Sequence, residues 1–181
     1  VKRLIGVVPE DLALFDRLTG AETLDFSGQM HGLSREDRRT RSCELLSVMD
    51  LESAGDALVA DYSHGMRKKL TLAVALLHAP RLLFLDEPFE GVDAVASRQI
   101  KEILSRFTRH GGTVFLTTHI LEIVDRLCDH VGFINKGRLV TQAPMSRIRE
   151  GGAEGRTIEE TFLELVGAVD PAVNTLEWLS G

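Results

Sequence analysis

Aromatic side chains make up only 6% of this 181-residue chain, with one Trp and one Tyr. Platforms for stacking single-stranded nucleic acid therefore have little to draw on. Positive charge is also short. Twenty-one Lys and Arg stand against 27 Asp and Glu, a net charge of −6, which is opposite in sign to a phosphate-binding footprint, so no nucleic-acid partner is expected. Two cysteines, Cys43 and Cys128, are spaced for neither a metal nor a disulfide framework and fit a reducing cytoplasm. The longest apolar stretch, Leu70 to Leu77 with one Thr, lies between Lys69 and Arg81. It falls far below the ~20 residues that span a bilayer. Lys2 and Arg3 precede only five apolar or Gly residues before Pro9, which does not read as a secretory leader. None of the 16 glycines is followed by Lys. The phosphate-cradling pattern Gly-x-x-x-x-Gly-Lys-Ser/Thr is thus not contained in these residues.

What is present is ordinary globular composition, 44% hydrophobic and 27% charged, in a chain long enough to bury roughly 70% of its unfolded surface. Arg3 to Val8 reads as a strand stopped by Pro9. Thr19 with Glu22 has capping-box spacing for a helix that Gly32 ends, and Ser34 caps the next. The charged run Arg35 to Arg41 reads as a solvated face, with Leu45, Leu46, Val48 and Met49 on the apolar side. After Ser63 the pattern alternates. A helix spans about 64–78, a strand Leu82–Leu85, a helix about 95–109, a strand Thr113–Thr117, a helix about 120–128 and a strand Val131–Ile134. Strands apolar throughout and separated by helices predict an α/β fold with a parallel sheet covered on both faces. Asn135-Lys136-Gly137 turns into a hairpin-like segment, and Thr157 with Glu160 caps a final helix over 158–166.

Four features carry candidate chemistry. Leu82-Leu83-Phe84-Leu85-Asp86-Glu87-Pro88 places two carboxylates where a buried parallel strand ends, the edge at which such sheets bind ligands. Asp86 suits Mg²⁺ and Glu87 suits an attacking water in phosphoryl transfer, or the pair is a solvated acidic turn. Ser63 is a good N-cap, and Gly65 lets an anion approach the free amides of the following helix; a plain cap has the same spelling. His119 follows a strand in the same edge region as Glu87 and is suited to touch a phosphate or water, or is polar surface. Gly91-Val92-Asp93 is a turn four to six residues beyond Glu87. The remaining histidines, 31, 64, 78, 110 and 130, have no comparable context.

Taken in order, these elements resemble the ATP-binding subunit of ABC transporters over about residues 3–167. The resemblance implies a P-loop NTPase-like, mostly parallel sheet with flanking helices. It places an α-helical subdomain at about 20–60, a Walker B and switch core at 63–143, C-terminal helices at 144–167 and a tail at 168–181. It puts Ser63 and Gly65 in the signature motif. Asp86 is then the Walker B aspartate holding Mg²⁺, Glu87 the catalytic glutamate, Asp93 part of the D-loop and His119 the switch histidine. Glu10 stands at the Q-loop position. ATP and Mg²⁺ are the implied cofactors. The implied partners are a second ATP-binding domain and a membrane-spanning permease, holding the chain at the inner face of the cell membrane.

Tyr62, His64 and Met66 depart from the usual Leu-Ser-Gly-Gly-Gln spelling of the signature. Tyr-Ser-x-Gly-Met-Arg followed by Lys68 and Lys69, together with Thr161-Phe162-Leu163-Glu164-Leu165, is similar to the drug- and antibiotic-exporting branch. Glu10 replaces the common Gln. In the family the P-loop lies before the Q-loop, so the expectation is an N-terminally truncated domain, inactive alone. The alternative is a non-catalytic module contributing only signature and docking surfaces. A soluble relative acting on DNA or ribosomes is disfavoured by the acidic balance.

Overall fold

The computed structural model describes residues 2–151 and 158–165. The chain divides into two compact units, one up to His119 and the other from Ile120.

In the first unit β1 (Ile5–Val8), β2 (Leu82–Asp86) and β3 (Thr113–Thr117) form a parallel sheet in the order β1-β2-β3. The predicted first strand is shorter than expected, because Lys2–Leu4 form a 3-10 turn. In register, Val8 lies beside Leu85, and Leu85 beside Leu116. All three strands therefore end at one edge. The residues that follow them, Glu10, Glu87 and His119, emerge there.

One face of the sheet holds the core. Val8, Leu83 and Leu85 are buried on it, beneath α3 (His64–Leu76) and α4 (Ala94–Arg109). On α4 the buried positions Ala96, Ile100, Ile103 and Leu104 follow helical spacing and make one apolar stripe. The approach of α3 to β1 is close. A Cβ on Gly6 would sit 2.5 Å from the Ala75 carbonyl oxygen, so only glycine fits. The expectation that both faces are covered fails on the other side. Val7, Phe84 and Phe115 are register neighbours there and all three are exposed.

Residues 20–60 are helical, as the caps predict. Thr19 accepts from the Glu22 amide and Glu22 reaches back to the Thr19 amide, closing the capping box of α1 (Gly20–Met30). Ser34 caps α2 (Arg35–Val48). The entry and exit of this segment are pinned together: the Val59 amide donates to the Leu18 carbonyl, and the Ala21 amide to that of Gly55. Tyr62, buried, donates its hydroxyl to the Ala54 carbonyl. Two expectations on α2 need correction. Arg38 and Arg41 are not simply solvated, since Arg38 binds Asp25 and the Leu33 carbonyl while Arg41 reaches the Leu77 carbonyl. Val48 is exposed, because only Leu46 and Met49 of that apolar group fall on the buried side.

The second unit contains α5 (Leu121–Leu127), β4 (His130–Asn135), β5 (Arg138–Pro144), α6 (Met145–Gly151) and α7 (Ile158–Leu165). Among the described residues β4 pairs with β5, antiparallel, and does not extend the parallel sheet. The Lys136-Gly137 turn, with both residues at positive φ, returns the chain too tightly for a crossover. Phe133 and Phe162 meet within this unit with ring centroids 5.5 Å apart. Thr157, the predicted cap of the last helix, and the predicted tail lie outside the described residues.

Candidate functional site at the carboxyl edge of the sheet

Asp86 is the last residue of β2 and is solvent-accessible. Its partner is the Thr117 hydroxyl at the end of the neighbouring strand, which donates to Oδ1. Glu87 follows with φ +43, a left-handed conformation that non-glycine residues adopt only under strain. Its amide donates to the Thr117 carbonyl at 3.2 Å. The turn swings its carboxylate toward β3, where Oε1 lies 3.0 Å from His119 Nδ1. Glu87 Oε2 is buried and has no hydrogen-bond partner. The Glu87 side chain is 17% exposed, whereas that of His119 is 68% exposed. The edge thus presents one sheltered carboxylate and one accessible imidazole.

The electrostatics agree with that geometry. The hydrogen bond from His119 to Glu87 raises the imidazole pKa above its ordinary value, and the Glu87 charge adds to it. Glu90 and Glu10 push in the same direction.

A second group surrounds the N-terminus of α3. Ser63 caps the helix by accepting from the Met66 amide at 3.2 Å. Gly65 is buried in the first turn, where a Cβ would lie 3.6 Å from Asp93 Oδ2. Asp93 caps α4 through 2.9 Å bonds from the Val95 and Ala96 amides, which lower its pKa. The sequence-predicted residues thus fall into two groups: Glu10, Asp86, Glu87 and His119 at the sheet edge, and Ser63, Gly65 and Asp93 at the start of α3. The segment 87–93 joins them.

Two residues that sequence reasoning left without a role lie on that join. His64 Nε2 is 3.3 Å from the Glu90 carbonyl oxygen, and its ring packs where a Cβ on Gly91 would be 3.1 Å away. Lys68 is buried and donates to the Glu87 carbonyl at 2.9 Å. A lysine one turn into a helix carries no spacing signal that points to a main-chain acceptor 19 residues away. His78 also has unforeseen partners: it stacks on His31, ring centroids 3.9 Å apart, and meets the Ile5 carbonyl. A cleft of about 460 Å³ lies in the second unit, lined by Leu121, Asp125, Met145 and Arg149 among others. None of the carboxyl-edge residues lines it.

Among the described residues no three His, Cys, Asp or Glu side chains converge as a metal cluster. A protein cage for a cation is not what this edge offers. One accessible carboxylate next to a hydroxyl does suit Mg²⁺, which keeps several waters and binds through one or two carboxylates plus substrate phosphates.

Comparison with known proteins identifies relatives over most of the chain. Residues 12–125 match the family described as "AAA domain, putative AbiEii toxin, Type IV TA system". The linearmycin resistance ATP-binding protein LnrL of Bacillus subtilis (strain 168) is 35% identical over 139 residues, 77% of this chain and 45% of that protein. A fluoroquinolones export ATP-binding protein of Mycobacterium tuberculosis is 36% identical over 183 aligned positions, 95% of this chain and 60% of that protein. This chain spans about half the length of the curated relatives it matches. Among solved structures, an ATP-binding subunit of an ABC transporter superposes with a TM-score of 0.82 and 31% identity, covering 91% of this chain and 69% of that one. A dimeric ATP-binding cassette bound to ADP and Pi shares the fold, with a TM-score of 0.71 at 23% identity, covering 78% of this chain and 62% of that one.

Proposed function

The chain belongs to the ATP-binding subunits of ABC transporters, and from that premise we propose that it powers export through a separate membrane-spanning partner by hydrolysing ATP. The observation that carries this reading is the 3.0 Å contact of Glu87 with His119 at the sheet edge, beside Asp86. Glu87 is the group that orients the attacking water and accepts its proton. The water oxygen bonds to the γ-phosphorus as the bond to the bridging oxygen of ADP breaks. His119 lies against the same carboxylate and donates toward the γ-phosphate or the water.

Asp86, with Thr117 fixing its carboxylate, is the residue that would hold Mg²⁺. When bound, Mg²⁺ neutralises charge on the β- and γ-oxygens. Glu10 approaches the same region from the end of β1. Its charge replaces the neutral amide common at that position.

Ser63, Gly65 and the first amides of α3 serve a nucleotide held by a second ATP-binding domain, because a helix N-terminus with glycine in its first turn is a ready anion site. The post-hydrolysis cassette of the same fold is a dimer bound to ADP and Pi, which supports that arrangement. The names of the relatives, linearmycin and daunorubicin resistance and fluoroquinolones export, support an antibiotic or drug cargo. Among the described residues no helix is long and apolar enough to cross a membrane. Attachment to the inner face of the membrane would then come through the permease.

These 181 residues contain no Gly-Lys pair to neutralise the β- and γ-phosphates. They are therefore inactive on their own, whichever of the two roles, hydrolytic subunit or signature-donating module, the whole protein has. The experiment is a comparison of ATP turnover by this chain and by a chain extended upstream through a Gly-x-x-x-x-Gly-Lys segment. Turnover confined to the extended chain is the expected result. Equal rates would sink the proposal, and no turnover in either would favour the signature-donating module.

A further inference from the structure

Lys68 on α3 has a relative exposure of 2%, a rare state for lysine. An apolar side chain of similar length would fill the same slot without the cost of desolvating an ammonium. What the ammonium gains is one acceptor, the main-chain carbonyl of Glu87 at 2.9 Å.

That carbonyl belongs to a residue in an unfavourable conformation. Glu87 has φ +43, and such geometry persists only where its surroundings over-determine it. Here they do so from both sides. The Glu87 amide donates to the Thr117 carbonyl at 3.2 Å, and the Glu87 carbonyl also accepts from the Glu90 amide at 3.3 Å. The Glu90 bond belongs to the turn itself, and the Thr117 bond ties the turn to β3. The Lys68 bond ties the Glu87 peptide itself to α3, whereas the His64 contact reaches the turn at Glu90. With the peptide fixed this way, Oε1 meets His119 at 3.0 Å, and Oε2 is left buried without a partner of its own.

We propose that Lys68 is a positioning residue, whose buried ammonium holds the Glu87 main chain so that the carboxylate is presented to His119 and to the attacking water. The proposal deepens the reading of Glu87 given above and rests on it. It also gives α3 two tasks. The helix starts at the Ser63 turn, five residues before Lys68, and in the same first turn His64 contacts the Glu90 carbonyl at 3.3 Å. A displacement of that first turn by a ligand is passed directly to the segment that carries Glu87.

The test uses isotope-labelled chain and follows the His119 ring by NMR across pH in four forms: unaltered, Glu87→Gln, Lys68→Met and Lys68→Arg. The expected pattern is a raised His119 midpoint in the unaltered chain that drops in Glu87→Gln. Lys68→Met, which keeps the stem and removes the charge, drops it in the same direction, while Lys68→Arg keeps it raised. A folded Lys68→Met with an unmoved His119 midpoint overturns the proposal and leaves the reading of Glu87 standing. An ordinary midpoint in the unaltered chain, indifferent to Glu87→Gln, overturns that reading itself. If Lys68→Met does not fold, the scalar coupling across the hydrogen bond from Lys68 Nζ to the Glu87 carbonyl carbon decides in the unaltered chain: its presence supports the tie and its absence overturns it.

Discussion

His119 Nδ1 lies 3.0 Å from Glu87 Oε1, joining the ends of two adjacent parallel strands through one charge-assisted contact. The hydrogen bond to Glu87 raises the His119 pKa in the folded chain. A group raised on folding stabilises fully below its unfolded value, near 6.5 for imidazole, and loses that contribution as pH rises through the folded value. The chain should therefore lose stability from mildly acidic to mildly alkaline pH. Glu87→Gln should flatten that slope. Denaturant unfolding over this pH range checks it, and an unchanged slope in Glu87→Gln would rule out the pair as its source.

Gly6 makes a different kind of prediction, because its neighbour is main chain. A Cβ there would lie 2.5 Å from the Ala75 carbonyl oxygen and 2.7 Å from Leu83 Cδ2. The leucine can rotate, but the carbonyl of α3 cannot leave without dragging the helix. Gly6→Ala should cost about 1–3 kcal/mol, the usual range for overpacking a core. Gly32→Ala, with nothing within 4 Å but φ +74, should cost about 1 kcal/mol from conformation alone. Chemical denaturation of the two variants separates a steric penalty from a dihedral one.

Much of this edge was legible because its determinants are local in sequence. Thr19 with Glu22, Ser34 and Ser63 announce helix starts through side chains that bond within three residues. Leu82 to Glu87 announces a buried strand ending in carboxylates. His119 required only the assumption that the strands run parallel. What escaped depends on contacts far apart in the chain. Lys68 meets a carbonyl 19 residues away and His64 one 26 residues away, and neither partner is a side chain whose identity a sequence displays. The burial of one sheet face and exposure of the other also escaped, since Val7, Phe84 and Phe115 are as apolar as the residues that are covered.

Asp93 should make the chain sensitive to acid. The amides of Ala96 and Val95 stabilise its ionised form and lower its pKa below the ordinary carboxylate value of 3.8. A group lowered on folding contributes its stability above the unfolded value and loses it as pH falls through the folded one. Asp93→Asn keeps an oxygen for the cap and removes the titration. The variant should therefore be less stable at neutral pH, with the gap from the unaltered chain narrowing below about pH 4. Thermal melts at several acidic pH values test this, and a gap that does not change with pH would show that the charge on Asp93 adds nothing to the cap.

The two faces of the sheet allow one comparison with opposite expectations on neighbouring positions. Leu83 is fully buried, packed beneath α3 and α4, whereas Phe115 on β3 is 58% exposed and touches Phe84 with ring centroids 5.6 Å apart. Leu83→Ala removes buried methyl groups from a core that cannot collapse onto them and should cost about 2–5 kcal/mol. Phe115→Thr keeps a strand-forming residue and gives up surface already in water, so its cost should stay within about 1 kcal/mol. The row Val7, Phe84 and Phe115 is also a contiguous apolar strip that favours association. Phe115→Thr should therefore raise the concentration at which this chain stays monomeric, while Leu83→Ala lowers it. Sedimentation velocity on both variants, with unfolding curves alongside, tests the pair. A costly Phe115→Thr would mean that this face is covered in the folded chain in solution.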